Sequence, residues 1–164
     1  MIICGFDPGT LHTGFGFIKK VGSRLHRLAS GTINTNQRAP MSERLLTIRD
    51  RISENLTACP PDIAAVEDVF FSKNAASALK LGQVRGVILV TLAERNIEIT
   101  SLPPALVKRA IVGSGRAAKS QVQQVVKAIL GLKHLPSEDE ADALAIAIAA
   151  ANAFRVKPPV SRPP

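Results

Sequence analysis

The chain has 164 residues, 46% of them apolar, with 21 lysines and arginines against 13 acids. That length supports one well-packed core and is too short for two ordinary domains, and the apolar content excludes disorder over most of it. A net charge of +8 and a pI near 10.1 favour a polyanionic partner, nucleic acid or an acidic membrane surface. The membrane is disfavoured, because no basic amphipathic helix stands out and the longest apolar run, Ala143 to Ala151, is too short to span. Asp7 breaks the apolar start before a cleavage site could follow, so no secretory signal is expected. Cys4 and Cys59 lack CxxC spacing and suggest neither zinc nor a disulfide framework, which makes the cytoplasm the expected setting.

Ile2 to Phe6 is apolar on both faces, the pattern of a central buried strand, and it runs into a carboxylate, Asp7. Such a strand has little reason to end in an acid unless a cation meets it there. The alternative is that Asp7 only opens an Asp-Pro-Gly turn. Gly14 to Ile18 reads as a strand returning beside the first, its two glycines keeping the surface near Asp7 low and open. A third antiparallel strand falls within Leu25 to Thr35. Met41, Leu45, Ile48, Ile52 and Leu56 follow helical spacing in a helix stopped by Pro60-Pro61. Ile63 to Val66 is another short buried strand, and it too ends in a carboxylate, Glu67. A strand that follows a crossover helix is expected to lie parallel in the same sheet. If it neighbours the first, Asp7 and Glu67 stand side by side at one edge.

Residues 74 to about 95 read as a helix in which Gly82 and Gly86 share a face. They cost stability unless they permit a close approach, to the sheet or to a second copy of the chain. Ile97 to Leu102 alternates as a less buried strand, and Pro103-Pro104 opens a short helix to Val112. Gly113-Ser114-Gly115 separates it from a helix running from about Lys119 to Leu130, ended by Gly131. Ser137 to Glu140 is a capping-box signature, and the last helix that it starts is apolar almost all round, hence buried. The fold class is α/β: a mixed sheet with an antiparallel hairpin side and a parallel side, flanked by helices. Residues 1–155 form a single domain and 156–164 a Pro-rich tail, extended or disordered.

Asp139 and Asp142 are neighbours on one face of the last helix's first turn. Acids there complement the helix dipole, which is reason enough for Glu138 and Glu140. Asp142 fits that explanation less well, because it leads into a helix with no polar face. Four carboxylates without cysteine or a histidine cluster suit hard cations such as Mg²⁺ or Mn²⁺. Gathered without a cation, they would raise one another's pKa values. Two such ions about 4 Å apart can clamp a phosphodiester, and a basic protein with an acidic pit is what a metal-dependent nuclease needs.

Gly5-Phe6-Asp7-Pro8-Gly9-Thr10, Thr13-Gly14-Phe15-Gly16, Glu67-Asp68-Val69-Phe70, the segment from Asn74 to Gly86, and Asp139-Glu140-Ala141-Asp142-Ala143-Leu144-Ala145-Ile146-Ala147 together resemble the RuvC family of Holliday junction resolvases. The resemblance runs from Met1 to about Ala149 in unbroken order. It implies a ribonuclease H-like fold with a five-stranded sheet, a homodimer, and Mg²⁺-dependent paired nicks across a four-way DNA junction in recombination and repair, leaving 5′-phosphate and 3′-hydroxyl ends. Two ions per active site are expected, with Mn²⁺ as a substitute. On this resemblance Asp7, Glu67, Asp139 and Asp142 are the catalytic, metal-binding acids. Phe70 matches an aromatic placed at the junction centre, with Lys73 in the same loop, whereas Phe71 is expected in the core. Lys108 and Lys119 match lysines near the cleaved strand, and Arg85, Arg109 and Arg116 are further candidates for phosphate contact. A branch-migration complex of RuvA with RuvB is implied as partner, and Gly82 with Gly86 is the candidate dimer interface. His12, His26 and His134 are read as surface residues. Thr10-Leu11-His12 departs from the family's usual turn beside Asp7.

Three rivals remain at this level. Asp7-Pro8-Gly9-Thr10 also resembles the phosphate turn of actin- and Hsp70-like ATPases, which need two such lobes; this chain has one. A ribonuclease H-like nuclease acting on RNA hybrids, and a junction-binding protein without catalysis, are the other two.

Overall fold

The computed structural model describes residues 1–68, 75–113 and 118–154. In chain order the elements are β1 (Ile2–Asp7), β2 (His12–Val21), β3 (Arg24–Asn34), α1 (Met41–Ala58), β4 (Ile63–Glu67), α2 (Ala75–Ala93), β5 (Glu98–Leu102), α3 (Pro104–Val112), α4 (Lys119–Leu130) and α5 (Glu138–Ala153). The five strands form one sheet in the order β3-β2-β1-β4-β5. β1, β2 and β3 are antiparallel neighbours, while β4 lies parallel to both β1 and β5. The hairpin strands are longer than their sequence patterns mark, because ladder pairing continues through polar residues such as Lys19 and, beside the β2–β3 turn, Arg24.

Two cores lie on the two faces of this sheet. Cys4, Phe6, Phe17, Ala64 and Val66 point to the face covered by α1 and α2. Ile3, Ile18 and Ala65 point to the other, where α5 is enclosed by α3 and α4. The side-chain period of two then sends Asp7 and Glu67 to the α5 face, in line with Ile3, Gly5 and Ala65.

α5 is buried on every side from Ala143 to Ala151, as expected of a helix without a polar stripe. It reaches the sheet through missing side chains. A Cβ on Gly5 would strike the Ala143 carbonyl oxygen and lie 2.6 Å from the Ala147 nitrogen, and one on Gly14 would strike the Asp139 carbonyl oxygen. The surface beside Asp7 is therefore not open. Glycines and alanines let the helix backbone rest on the strand, which lowers the first turn of α5 onto the end of β1.

α2 is long and apolar enough to cross a membrane by length and composition, although Lys80 and Arg85 interrupt its apolar sequence. Its Val84, Ile88, Thr91 and Leu92 are buried in the core. Among the described residues a Cβ on Gly82 or Gly86 would meet nothing within 4 Å, so neither glycine serves an approach to the sheet.

Candidate active site

Register brings the first two acids together. Ile3, Cys4, Gly5 and Phe6 pair with Ile63, Ala64, Ala65 and Val66, so Asp7 and Glu67 occupy the next rung at the carboxyl ends of two parallel strands. Asp62 fixes that register: its carboxylate accepts from the Ile2 N–H at 2.6 Å, and its own N–H donates to the Ile2 carbonyl at 2.9 Å. Gly14 stands opposite Asp7 on β2, and the Asp139 backbone fills the space above it.

α5 supplies the remaining acids. Ser137 caps it, accepting from the Glu140 N–H, while the Glu140 side chain accepts from the Ser137 N–H, each at 3.4 Å. Glu140 also accepts from the Ser30 hydroxyl at 2.6 Å, which ties the cap to β3. With the first turn so anchored, Asp142 joins Asp7 and Glu67 in a cavity of about 260 Å³, walled by Pro104, Val107, Val122 and Ala145 and flanked by Lys108 and Lys119. Asp139 does not line this cavity; it acts on Asp7 and Asp142 through its charge.

The electrostatics are those of acids crowded in a half-buried place. Burial first, then the Glu67, Asp142 and Asp139 carboxylates, push Asp7 up to about 8, with Lys119 opposing. Glu67 is pushed up to about 7 by burial and by Asp142, against a hydrogen bond from Asp7 and the charge of Lys108. Asp142 is raised chiefly by burial, with Lys119 and Lys108 opposing. Lys119 pairs with Glu138 at 3.1 Å and stands 4.0 Å from Asp142. Among the described residues no three of these groups stand close enough to form a preformed metal cage. Their oxygen-only chemistry and mutual repulsion nonetheless fit a hard divalent cation, which would relieve both.

Sequence reasoning missed several supports. Arg85, considered for phosphate contact, is instead engaged inside the protein: it donates to Asp68 at 2.9 Å, to Ser101 at 2.6 Å and to the Glu67 carbonyl at 3.3 Å. Glu138, read as a cap acid only, holds Lys119. Arg109 is exposed on α3 and does not line the cavity. Phe70, Phe71, Lys73 and Arg116 lie outside the described residues. His12 bonds Asn34 at 2.7 Å. No cue in the sequence singles out Arg85 or Glu138, since their partners are distant or look like ordinary surface charge.

Residues 3–150 match the family model described as crossover junction endodeoxyribonuclease RuvC. Proteins of that name from Sorangium cellulosum and Syntrophotalea carbinolica are 46% and 45% identical to this chain, over 90% and 95% of it and 83% and 97% of their own lengths. The structure is similar to that of Thermus thermophilus RuvC in complex with a Holliday junction substrate, with a TM-score of 0.86 and 37% identity over 92% of this chain and 93% of that one. A fowlpox virus Holliday junction resolvase, 15% identical with a TM-score of 0.62, shares the fold. With its mixed sheet, converging strand-end acids and a match over nearly all of its length, the chain belongs to the RuvC family of crossover junction endodeoxyribonucleases.

Proposed function

We propose that this protein resolves four-way DNA junctions by paired, metal-dependent hydrolytic nicks, and that Asp7, Glu67 and Asp142, with Asp139 beside them, carry the reaction. The observation that supports this most directly is the meeting of acids 7, 67 and 142 in one half-buried cavity between two lysines. Only a cation makes such a cluster stable with all its charges in place.

Asp7, Glu67 and Asp142, joined by Asp139 from the rim, would hold Mg²⁺, two ions per site, with Mn²⁺ as a substitute. Bound there, such ions activate water and stabilise the leaving oxygen. The protein's own groups do the rest. The apolar walls exclude bulk water and strengthen every charge interaction inside. Lys108 and Lys119 offset the negative charge of the incoming phosphate and hold it over the acids. Glu138 keeps Lys119 at the mouth of the cavity. Phe70, Lys73 and Arg116 complete the DNA contacts on the strength of the family resemblance.

Two nicks on a two-fold substrate call for two sites on a symmetric dimer. α2 is our candidate for its interface: Leu79 and Val90 are 71% and 59% exposed, and Gly82 and Gly86 leave open space beside them. RuvA with RuvB is the expected branch-migration partner, and the cytoplasm the expected site of action. No specific observation favours an RNA-hybrid nuclease or a catalytically silent junction binder.

The test is Asp7→Asn, incubated with a synthetic four-way junction and with linear duplex, with and without Mg²⁺. The variant should bind the junction and lose Mg²⁺-dependent nicking by about a thousandfold or more. Undiminished nicking would overturn the assignment.

A further inference from the structure

A cavity larger than that around the acids, about 570 Å³, lies between the edge strand β3 and the segment that joins α4 to α5. Its walls carry His26 and Arg27 from β3, then Lys133 and His134 from the joining segment, with Leu130, Leu132, Leu135 and Pro136 as its floor. Among the described residues one acid faces it, Glu140, and that carboxylate is already occupied by the Ser30 hydroxyl at 2.6 Å and by Arg27 at 4.0 Å. Among the described residues no side-chain hydrogen bond or ion pair engages His26, Lys133 or His134. Four nitrogen-bearing side chains thus surround a space whose one acid is compensated. The shape is also held: Gln123 on α4 donates to the Pro136 carbonyl at 2.9 Å, and α4 ends at Gly131 in the left-handed conformation.

Its place relative to the acids limits what it can bind. Glu140 and Asp142 are two residues apart on α5, about 160° around the helix by a step of about 100° per residue. The first turn of α5 therefore presents Asp142 to the acidic cavity and Glu140 to the basic one. On the sheet Arg27 lies, through Ile18, two strands across and four residues along β1 from Asp7, roughly 16 Å at a rise of about 3.3 Å per residue and a strand spacing of about 4.8 Å. Duplex DNA reaches such a span between phosphates, its major groove alone being about 12 Å wide.

We propose that the cavity walled by His26, Arg27, Lys133 and His134 holds backbone phosphates of a junction arm, away from the bond that is cut. This rests on the reading of the acids as a junction nuclease. Arg27 and Lys133 supply the charge, the two imidazoles supply hydrogen bonds to phosphate oxygens, and the leucine floor accommodates the sugar. The contact carries no base specificity; it fixes where the duplex lies on the protein.

The test is four-way junction binding as a function of salt, without divalent ions so that nothing is cut, for the full chain and for Lys133→Ala, Lys133→Arg and Arg51→Ala. Lys133 is exposed in a connecting segment, so its substitution does not endanger folding, whereas loss of Arg27 would disturb the helix cap through Glu140. Lys133→Ala should weaken binding and lower the slope of log affinity against log salt by about 0.9, one phosphate contact. Lys133→Arg should restore the slope. Arg51→Ala, which removes an equal charge from α1, should leave it unchanged. An unaltered slope in Lys133→Ala, as expected if the cavity served an acidic protein instead, or an equal loss in Arg51→Ala, would overturn the proposal. Failure of the unmodified protein to bind junctions, or to nick them once Mg²⁺ is added, would instead overturn the nuclease reading on which it rests.

Discussion

Arg44, on the first turn of α1, reaches across to the carbonyl of Thr10, three residues past Asp7, through both Nε and Nη2. Thr35 donates to the same carbonyl at 2.7 Å, and Thr13 donates to Gly9 at 2.6 Å. The turn that follows the first acid is thus held from outside. Arg44→Ala should cost about 1.5–3 kcal/mol, the range for hydrogen bonds to charged groups, and should slow nicking at saturating junction more than it weakens binding. Denaturant unfolding and single-turnover nicking check the two effects separately; a binding defect alone would point to a DNA contact instead.

Arg85 and Lys108 should separate cleanly in salt titrations. Arg85 is committed to Asp68, Ser101 and the Glu67 carbonyl, so Arg85→Ala should lower stability by about 1–3 kcal/mol and leave the salt slope of junction binding unchanged. Lys108 borders the acidic cavity, so Lys108→Ala should lower that slope by about 0.9.

The acids also predict how stability depends on pH when no divalent ion is present. Asp7 and Glu67 rise from ordinary values of 3.8 and 4.5 to about 8 and about 7 in the folded protein. Between about pH 4 and pH 8 the folded chain therefore keeps protons that the unfolded chain has released, so stability falls as pH rises through this window. The thermal midpoint should decline over that range, Asp7→Asn should flatten the decline, and Mg²⁺ added at pH 8 should reverse it by binding the folded state. A midpoint independent of pH and of Mg²⁺ would contradict the crowding argument.

Gly14→Ala places a methyl group against the Asp139 carbonyl, which can move only if α5 moves. Overpacking of this kind costs about 1–3 kcal/mol and lifts the first turn away from Asp7. Thermal unfolding should show a loss of several degrees, with nicking reduced beyond what the lost folded fraction explains.

Much of this was legible in the residues. Continuous apolar runs that end in carboxylates mark β1 and β4 and, with the crossover rule, place Asp7 beside Glu67; the featureless apolar helix and its capping box mark α5 as a core element carrying acids at its start. The exclusion of Asp139 from the cavity was hidden, since spacing shows that 139 and 142 share a face but not how that face is rotated over the sheet. The meaning of Gly14 was hidden as well: a glycine leaves room, and only the fold shows that a helix backbone takes it. Arg44 and Arg85 look like solvated charges because their acceptors are a turn carbonyl and groups 16 to 18 residues away.

Because α5 seats its opening turn directly on the sheet, the acidic cavity joins residue 7 to residue 142. No shorter stretch of the polypeptide contains it. A chain emerging from the ribosome can form the hairpin and its neighbours early, yet on the proposed reading it has nothing with which to cut until α5 has been made and has docked. Hydrolysis is then withheld from every product that stops short of that helix.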